Sequence, residues 1–383
     1  METRVFDLAG LQTLIDALGR RGFTVLGPTV RDGVIANAPV RAVSDLPVGW
    51  GDDQDAGRYR LRRRDDDAVF GFASGAQSAK PVFFPTEELL WRGRRTEDGF
   101  ETETPDPRAD GPYALLGVRS CDLHAVGIHD TVLSSRGFQD EPYAARRRGA
   151  FVVAVTCGEP GGTCFCVSMD TGPRPRAGHG APFDLALTEL MDDAGHRFLV
   201  EVGTDRGAEV LADVVTLPAE EADVDHADRV AEQAATRMGR TLDTADLKDL
   251  LYASADSPLW ADVADRCLAC GNCTAVCPTC FCTDVSDLTD LSGDESERTR
   301  VWDSCFNADF SHLHGGNVRE STSSRYRQWM THKLGSWIDQ FGMSGCVGCG
   351  RCVTWCPAAI DITEEAARLR TAAQSATGTG AGG

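Results

Sequence analysis

The sequence predicts an α+β protein, in which an N-terminal mixed α/β domain is followed by a smaller, mainly helical and cysteine-rich domain. Two continuous apolar runs, at 114–118 and 151–155, flank a helix-like stretch at 122–137. This strand–helix–strand order is typical of a mixed α/β domain. Near the C-terminus, a run of four cysteines and a proline begins at Cys267 and is repeated from Cys346.

Local patterns predict the elements of the N-terminal half in turn. Leucine and isoleucine recur at helical spacing between Leu8 and Leu18, which indicates an amphipathic helix, and the run at 23–26 before Gly27-Pro28 indicates a strand. Further strands are expected at 59–61 and 69–72. The charged segment 94–111 is expected to be a solvated loop.

The repeated cysteine run has the spacing that binds iron–sulfur clusters. The two copies are Cys267-x2-Cys270-x2-Cys273-x3-Cys277-Pro278 and Cys346-x2-Cys349-x2-Cys352-x3-Cys356-Pro357. In this spacing the first three cysteines wrap one cube and the fourth serves the other cluster. We therefore expect two [4Fe–4S] clusters with crossed ligation, the first held by Cys267, Cys270, Cys273 and Cys356, the second by Cys346, Cys349, Cys352 and Cys277. Small residues between the ligands (Gly271, Gly348 and Gly350) are expected where a side chain would crowd a cube.

Two other interpretations of these eight cysteines are weaker. Disulfides need an oxidising compartment, and the N-terminus lacks the apolar core and cleavage site of a signal peptide. Zinc prefers two CxxC pairs with a longer gap between them.

A second group of cysteines lies in the N-terminal half. Cys121 and Cys157 each follow a predicted strand, and Cys164 and Cys166 come after a Gly-rich turn. Since strand ends on one edge of a parallel sheet lie close together, these four thiols are a candidate third [4Fe–4S] site. The alternative is that they are ordinary buried cysteines.

The remaining candidates are expected to be structural. Cys280 and Cys282 are expected to pack near the cubes, and Cys305 to support them. Three histidines in the insertion between the two motifs are expected to be polar neighbours rather than ligands: His312, His314 and His332.

These features divide the chain into 1–207, the α/β domain; 208–257, a helical connector; 258–370, the ferredoxin-type dicluster domain; and 371–383, a disordered tail. The insertion between Pro278 and Cys346 has helix-like stretches at 310–314 and 326–338. It therefore predicts a helical dicluster domain rather than the short hairpin connection of a compact ferredoxin.

Composition excludes several classes of protein. The formal net charge of -20 and the pI of about 4.8 argue against a nucleic-acid partner. No stretch has the roughly 18 apolar residues of a membrane span. Fifteen cysteines without an export signal indicate a reducing, cytoplasmic location.

Several stretches together resemble the β subunit of cytoplasmic group 3 NiFe hydrogenases, the sulfhydrogenases, and the related electron-transfer subunit of anaerobic sulfite reductase. They are CLACGNCTAVCPTCFC, WDSCF, HGGNVR and SGCVGCGRCVTWCPAAIDITEE, with GVRSCDLHAV and CGEPGGTCFCVSMDTGP in the first half. The resemblance implies an electron-transfer subunit of an oxidoreductase, without a substrate-converting centre of its own. It also implies as partners a flavin and [2Fe–2S] subunit that handles NAD(P)H, and the small and large NiFe hydrogenase subunits.

Three functions are compatible with these sequence features. The first is the relay subunit of an NAD(P)-linked NiFe hydrogenase, and the second is the equivalent subunit of a sulfite or sulfur reductase. The third is a free ferredoxin-like carrier or redox sensor, against which the roughly 250 residues before the clusters argue, since they exceed what a carrier needs. No Gly-x-Gly-x-x-Gly run lies between a predicted strand and a predicted helix, as a dinucleotide fingerprint requires, which agrees with a relay role.

Overall fold

The computed structural model describes residues 3–109, 111–134 and 137–378. The strands are β1 (Thr3–Asp7), β2 (Thr24–Arg31), β3 (Val34–Pro39), β4 (Trp50–Asp55), β5 (Arg58–Arg63), β6 (Glu87–Thr96), β7 (Gly99–Glu103), β8 (Tyr113–Arg119), β9 (Phe151–Val155), β10 (Leu185–Asp192), β11 (Gly195–Val202), β12 (Leu217–Pro218), β13 (Thr283–Thr289), β14 (Glu295–Trp302), β15 (His312–Leu313) and β16 (Gly316–Asn317). The helices are α1 (Leu8–Arg20), α2 (Lys80–Phe83), α3 (Ser120–Leu133), α4 (Glu141–Gly149), α5 (Asp205–Leu211), α6 (Glu221–Thr236), α7 (Leu247–Ala253), α8 (Leu259–Arg266), α9 (Asn272–Ala275), α10 (Thr322–Thr331), α11 (Trp337–Phe341), α12 (Arg351–Thr354) and α13 (Ile362–Gly378). Short 3₁₀ turns lie at Val43–Asp45 and Cys166–Met169, and a π-helical turn at His332–Ser336 joins α10 to α11.

An eight-stranded mixed sheet organises the N-terminal half, in the order β12-β1-β11-β10-β9-β8-β2-β3. Four consecutive strands, β10, β9, β8 and β2, are parallel. One face is covered by α1 and α5 and the other by α3 and α4, so every residue of β9 is buried. A parallel sheet covered on both faces explains why these strands read as continuous apolar runs.

The predictions for this half are confirmed in their main elements. Helix α1, strands β8, β9 and β5, and helix α3 lie where the patterns indicate. Strand β2 runs on through Gly27-Pro28 to Arg31, beyond the predicted end, because it pairs with β3 along this length. The prediction of a strand at 69–72 is wrong. This segment is irregular, and the N–H groups of Val69 and Phe70 donate to the Glu189 carboxylate instead of to a neighbouring strand.

The prediction of a loop at 94–111 is also wrong for the first part of this segment. Strands β6 and β7 form a hairpin there, and β6 pairs with β14 from the insertion between the cysteine motifs. The resulting sheet has the order β13-β14-β6-β7. It combines two strands from the predicted N-terminal domain with two strands from the predicted dicluster domain. The dicluster domain is therefore not wholly helical. Its predicted helix at 310–314 is likewise absent, since a turn and strand β15 occupy this position, whereas α10, the π-turn and α11 confirm the helical stretch at 326–338.

The connector region contains α5, α6 and α7 but also strand β12, which adds to the edge of the main sheet. The disordered tail expected from 371 is wrong up to 378, because α13 continues to Gly378. Residues 379–383 lie outside the described residues. The division into domains at 207, 257 and 370 otherwise stays a prediction.

Candidate metal centres

Five cysteine side chains line a cavity at the C-terminal half of the molecule. Cys267, Cys270 and Cys273 of the first motif share it with Cys352 and Cys356 of the second. Apolar groups close the cavity, among them Phe306, Tyr326, Trp329 and Ile360. The fourth cysteine of the second motif thus lies with the first three of the first motif. We call the group Cys267, Cys270, Cys273 and Cys356 the outer centre, because Cys270 is exposed and its neighbour Leu268 is 67 % exposed.

The complementary group forms deeper in the protein. Burial raises the pKa of the Cys352 thiol well above its usual range, and the nearby Cys346, Cys349 and Cys277 raise it further, as does Cys273 of the outer centre. Burial likewise raises the pKa of Cys346 to about 12. We call Cys346, Cys349, Cys352 and Cys277 the inner centre. The fourth cysteine of the first motif lies here, so each motif lends its last cysteine to the other group.

The two motifs repeat one backbone arrangement around their first cysteine. The N–H of Ala269 donates to the Cys267 sulfur at 3.4 Å, and the N–H of Gly348 donates to the Cys346 sulfur at 3.5 Å. A third donor, the N–H of Ile360, lies 3.4 Å from the Cys356 sulfur. Backbone donors aimed at sulfur stabilise the thiolate form and tune bound clusters.

The glycines of the second motif lie against the N-terminal half of the chain. Gly348 and Gly350 have φ of +63° and +72°, and a Cβ on either would lie 2.6 Å or less from the Phe165 or the Thr163 carbonyl oxygen. They therefore permit close approach of the N-terminal segment that contains Thr163 and Phe165. The Phe165 N–H donates to the Gly348 carbonyl at 2.8 Å across this contact.

The N-terminal cysteines meet where this contact forms. Strands β8 and β9 are parallel with Arg119 opposite Val155, so Cys121 and Cys157 emerge at the same sheet edge, as predicted. Burial raises the pKa of Cys164 well above its usual range, and the adjacent Cys157, Cys166 and Cys349 raise it further. We call Cys121, Cys157, Cys164 and Cys166 the N-terminal centre. It borders the inner centre, since the Cys164 sulfur lies 3.8 Å from the Cys349 carbonyl oxygen.

Buried basic residues beside these thiols were not found from the sequence. Arg351, 1 % exposed, donates two hydrogen bonds to Asp122, at 2.6 and 2.9 Å. Lys333 donates to the Cys277 sulfur at 3.2 Å. A hydrogen bond with Cys280 holds the pKa of Cys277 well below its usual range, against the effect of burial, and Lys333 lowers it further. In the sequence, the only feature that singles out Arg351 is its position within the second cysteine motif. No local sequence feature singles out Lys333.

Two of the cysteines expected to be structural lie beside cysteines of the first motif. Cys280 is next to Cys277, while Cys305 is close enough to Cys273 to raise its pKa. Cys282 accepts at its carbonyl from the Asp303 N–H at 2.9 Å. The histidines of the insertion do not join them: His312 and His314 are exposed, and the His332 ring packs 5.0 Å from that of Trp337.

Clustered thiols, backbone donors to sulfur and enclosing aromatic side chains together fit an iron–sulfur centre. Within the described ranges, no group of three or more His, Cys, Asp or Glu residues is arranged around a single metal ion. The thiolates of a cube bind different irons and stand further apart than the ligands of one ion. A cube held by these thiolates would supply one-electron redox chemistry.

Comparison with known proteins agrees with this chemistry. Residues 266–360 match the family described as a 4Fe-4S dicluster domain. The chain is thus an iron–sulfur protein with a [4Fe–4S] dicluster domain. It is also 37% identical over 265 residues to sulfhydrogenase 2 subunit beta of Pyrococcus furiosus, an alignment that covers 68% of this chain and 75% of the relative. The chain belongs to the family of sulfhydrogenase β subunits, which confirms the resemblance drawn from its motifs. No solved structure matches it.

One further observation concerns membranes. In the part of the chain that the structure describes, no helix has both the length and the apolar character needed to cross a bilayer.

Proposed function

We propose that this chain relays electrons within a hydrogenase of the sulfhydrogenase type, between a flavin and [2Fe–2S] subunit that oxidises or reduces NAD(P)H and the small and large NiFe subunits. We place this complex in the cytoplasm. The observation that carries the proposal is the contiguity of three cysteine groups. The N-terminal centre borders the inner centre through Cys164 and Cys349, and Cys352 of the inner centre lines the cavity of the outer centre.

Each group is assigned one [4Fe–4S] cluster. Cys267, Cys270, Cys273 and Cys356 hold the first; Cys346, Cys349, Cys352 and Cys277 hold the second; Cys121, Cys157, Cys164 and Cys166 hold the third. The burial of these thiols supports the assignment, because a buried thiolate is costly unless a cation, here iron, offsets its charge.

The arrangement gives the relay an order. The inner centre lies between the other two, so electrons cross the protein through it. The outer centre is the nearest to solvent, at the exposed Cys270, and faces one partner subunit. The N-terminal centre faces the other, which we assign to the flavin subunit.

Iron analysis of the anaerobically purified chain tests the cluster assignment. We expect about twelve irons per chain for three cubes, and about eight if the N-terminal centre is empty. Cys277→Ser and Cys273→Ser are each expected to damage a different cluster, as seen by electron paramagnetic resonance (EPR), because their ligation is crossed.

The N-terminal centre is tested by Cys164→Ser in the full chain. We expect a loss of about four irons with the other two EPR signals intact. Cys305→Ser is the matched control, since Cys305 belongs to none of the three groups, and it is expected to retain all iron. An unchanged iron content in Cys164→Ser contradicts a cluster at this site.

Co-purified partners test the type of complex. Nickel in stoichiometric amounts, with flavin, is expected for the hydrogenase. Siroheme absorption without nickel would instead identify a sulfite reductase.

A further inference from the structure

Lysine is rare in this chain, and its placement is uneven. It occurs only at Lys80, Lys248 and Lys333, whereas arginine supplies the other positive charges. Lys248 is at the surface, where it pairs with Asp339 at 2.8 Å. Lys80 and Lys333 are 4 % and 3 % exposed, and both reach the segment that follows Cys277. Two of the three lysines are therefore buried at one place.

The Lys333 ammonium is held by several acceptors. It donates to the Cys277 sulfur at 3.2 Å, to the Thr279 hydroxyl at 3.0 Å and to the Gly345 carbonyl at 3.2 Å, and it lies 3.8 Å from the Cys280 sulfur. Among the described residues, the ion pairs formed by lysine are limited to that of Lys248. The charge of Lys333 is thus left to be balanced by sulfur.

Lys80 approaches the same segment from helix α2. Its ammonium donates to the Cys280 carbonyl at 3.2 Å and lies 3.4 Å from the centre of the Trp302 ring. A cation over an aromatic face is stabilised by the ring, but the ring does not neutralise it. The second positive charge adds to the first.

The backbone around Lys333 departs from an ordinary helix. Lys333 lies in the π-helical turn His332–Ser336, a feature that is frequent at functional sites. The Gly345 N–H donates to the Lys333 carbonyl at 2.8 Å, one residue before Cys346. The π-turn therefore ties the lysine to the start of the second cysteine motif as well as to Cys277.

Burying an ammonium without a carboxylate is costly, so the interior must supply a negative partner. A one-electron reduction of a cluster adds one negative charge to it. A fixed positive charge in hydrogen-bond contact with a ligand sulfur stabilises that added charge, and hydrogen bonds and net charge are known determinants of cluster potential. The contact of Lys333 with Cys277 has this geometry.

We propose that Lys333, assisted by Lys80, raises the reduction potential of the cluster bound through Cys277. This inference rests on the proposed ligation of the inner centre. Lys333 is a tuning residue and not a ligand. It makes the inner centre a better electron acceptor than it would be between neutral side chains, without a proton having to accompany the electron.

The test is an anaerobic potentiometric titration of the cluster-loaded full chain, followed by EPR. Lys333→Met keeps the length and removes the charge. We expect the oxidised-to-reduced ratio of one cluster to rise at least tenfold at fixed potential, a shift of about 59 mV for a one-electron couple. Lys80→Met is expected to move the same signal by less. Lys333→Arg keeps the charge and is expected to stay within threefold of the wild type, and Lys248→Met, the surface control, is expected to leave the ratio unchanged.

Iron content separates this inference from the proposed function. Lys333→Met with full iron and an unmoved ratio overturns the role of Lys333, and leaves the ligation intact. If Lys333→Met loses iron, Lys80→Met decides in the same way: an unmoved ratio with full iron overturns the inference. A wild-type chain with about four irons would instead contradict the proposed two-motif ligation itself.

Discussion

The buried ion pair between Arg351 and Asp122 is expected to control how the two halves of the molecule hold their cysteines. Arg351 lies between Cys349 and Cys352, and Asp122 follows Cys121. The guanidinium donates to both Asp122 oxygens, at 2.6 and 2.9 Å, and to the Gly75 and Gln77 carbonyls, at 2.7 and 3.2 Å. The pair therefore joins the inner centre to the N-terminal centre.

The magnitude follows from burial. With side chains 1% and 9% exposed, neither partner can be solvated if the other is removed. Breaking a buried pair by removing one partner costs about 3–5 kcal/mol, a large part of the roughly 5–15 kcal/mol that stabilises a domain. Arg351→Met and Asp122→Leu should each lower the free energy of unfolding by about this amount, because each leaves one buried charge without its partner.

The assay is guanidinium unfolding of the cluster-loaded chain under anaerobic conditions, for the two single variants and the double variant. Replacing both partners with apolar residues leaves no unpaired charge, so the double variant should be less destabilised than the sum of the singles, with a coupling of about 0.5–3 kcal/mol. Additive effects, or an Arg351→Met variant within about 1 kcal/mol of the wild type, would refute the reasoning.

Three further predictions concern backbone space, pH and metal. Gly348→Ala should destabilise the protein by clearly more than Gly342→Ala in thermal unfolding: both have positive φ, but only at Gly348 would the Cβ meet other atoms, and equal losses would contradict the close approach. Burial, with the nearby Lys80, lowers the pKa of His129 to about 3, so the unfolded state takes up a proton first as the pH falls. Stability should therefore fall below about pH 6.5 by up to about 1.4 kcal/mol per pH unit, and His129→Phe should flatten this slope in urea titrations at several pH values. Removing iron should make 258–370 protease-sensitive and lower its helical circular dichroism signal, because buried thiolates lose the cation that offsets them; equal protection of apo and loaded protein would contradict the coupling.

The parts of the fold that the sequence predicted are those with a burial pattern. The central strands are buried on both faces, so β8 and β9 read as unbroken apolar runs, and α1 has one apolar face. The cysteine motifs are equally easy to recognise, because three of the ligands of each cube lie within a few residues of one another in the sequence. Both signals depend on residues that are near one another in the chain.

The sheet β13-β14-β6-β7 lacks such a signal. Strand β13 is mostly exposed and β14 only half-buried, so no hydrophobic alternation marks either of them. Cross-strand ion pairs connect them instead: Arg298 with Asp287 at 2.6 Å, and Arg92 with Glu297 at 2.6 Å. The pair of Arg92 and Glu297 joins positions 205 residues apart in sequence. Because such cross-strand pairs are not visible along the chain, the sequence pattern suggests solvated loops.

The buried cations could not be predicted from the sequence either, because the sequence does not show which charged side chains lie in the interior. The chain carries a net charge of -20, yet positive side chains reach the thiols of the N-terminal and inner centres. Burial raises the pKa of the Cys157 thiol and the nearby Arg119 opposes this rise, while Lys333 contacts Cys277. The outer centre is enclosed mainly by aromatic and aliphatic side chains. Since a positive neighbour stabilises the reduced state of a cluster, electrons should favour the inner centre over the outer one, and the titration that tests Lys333 measures this difference directly.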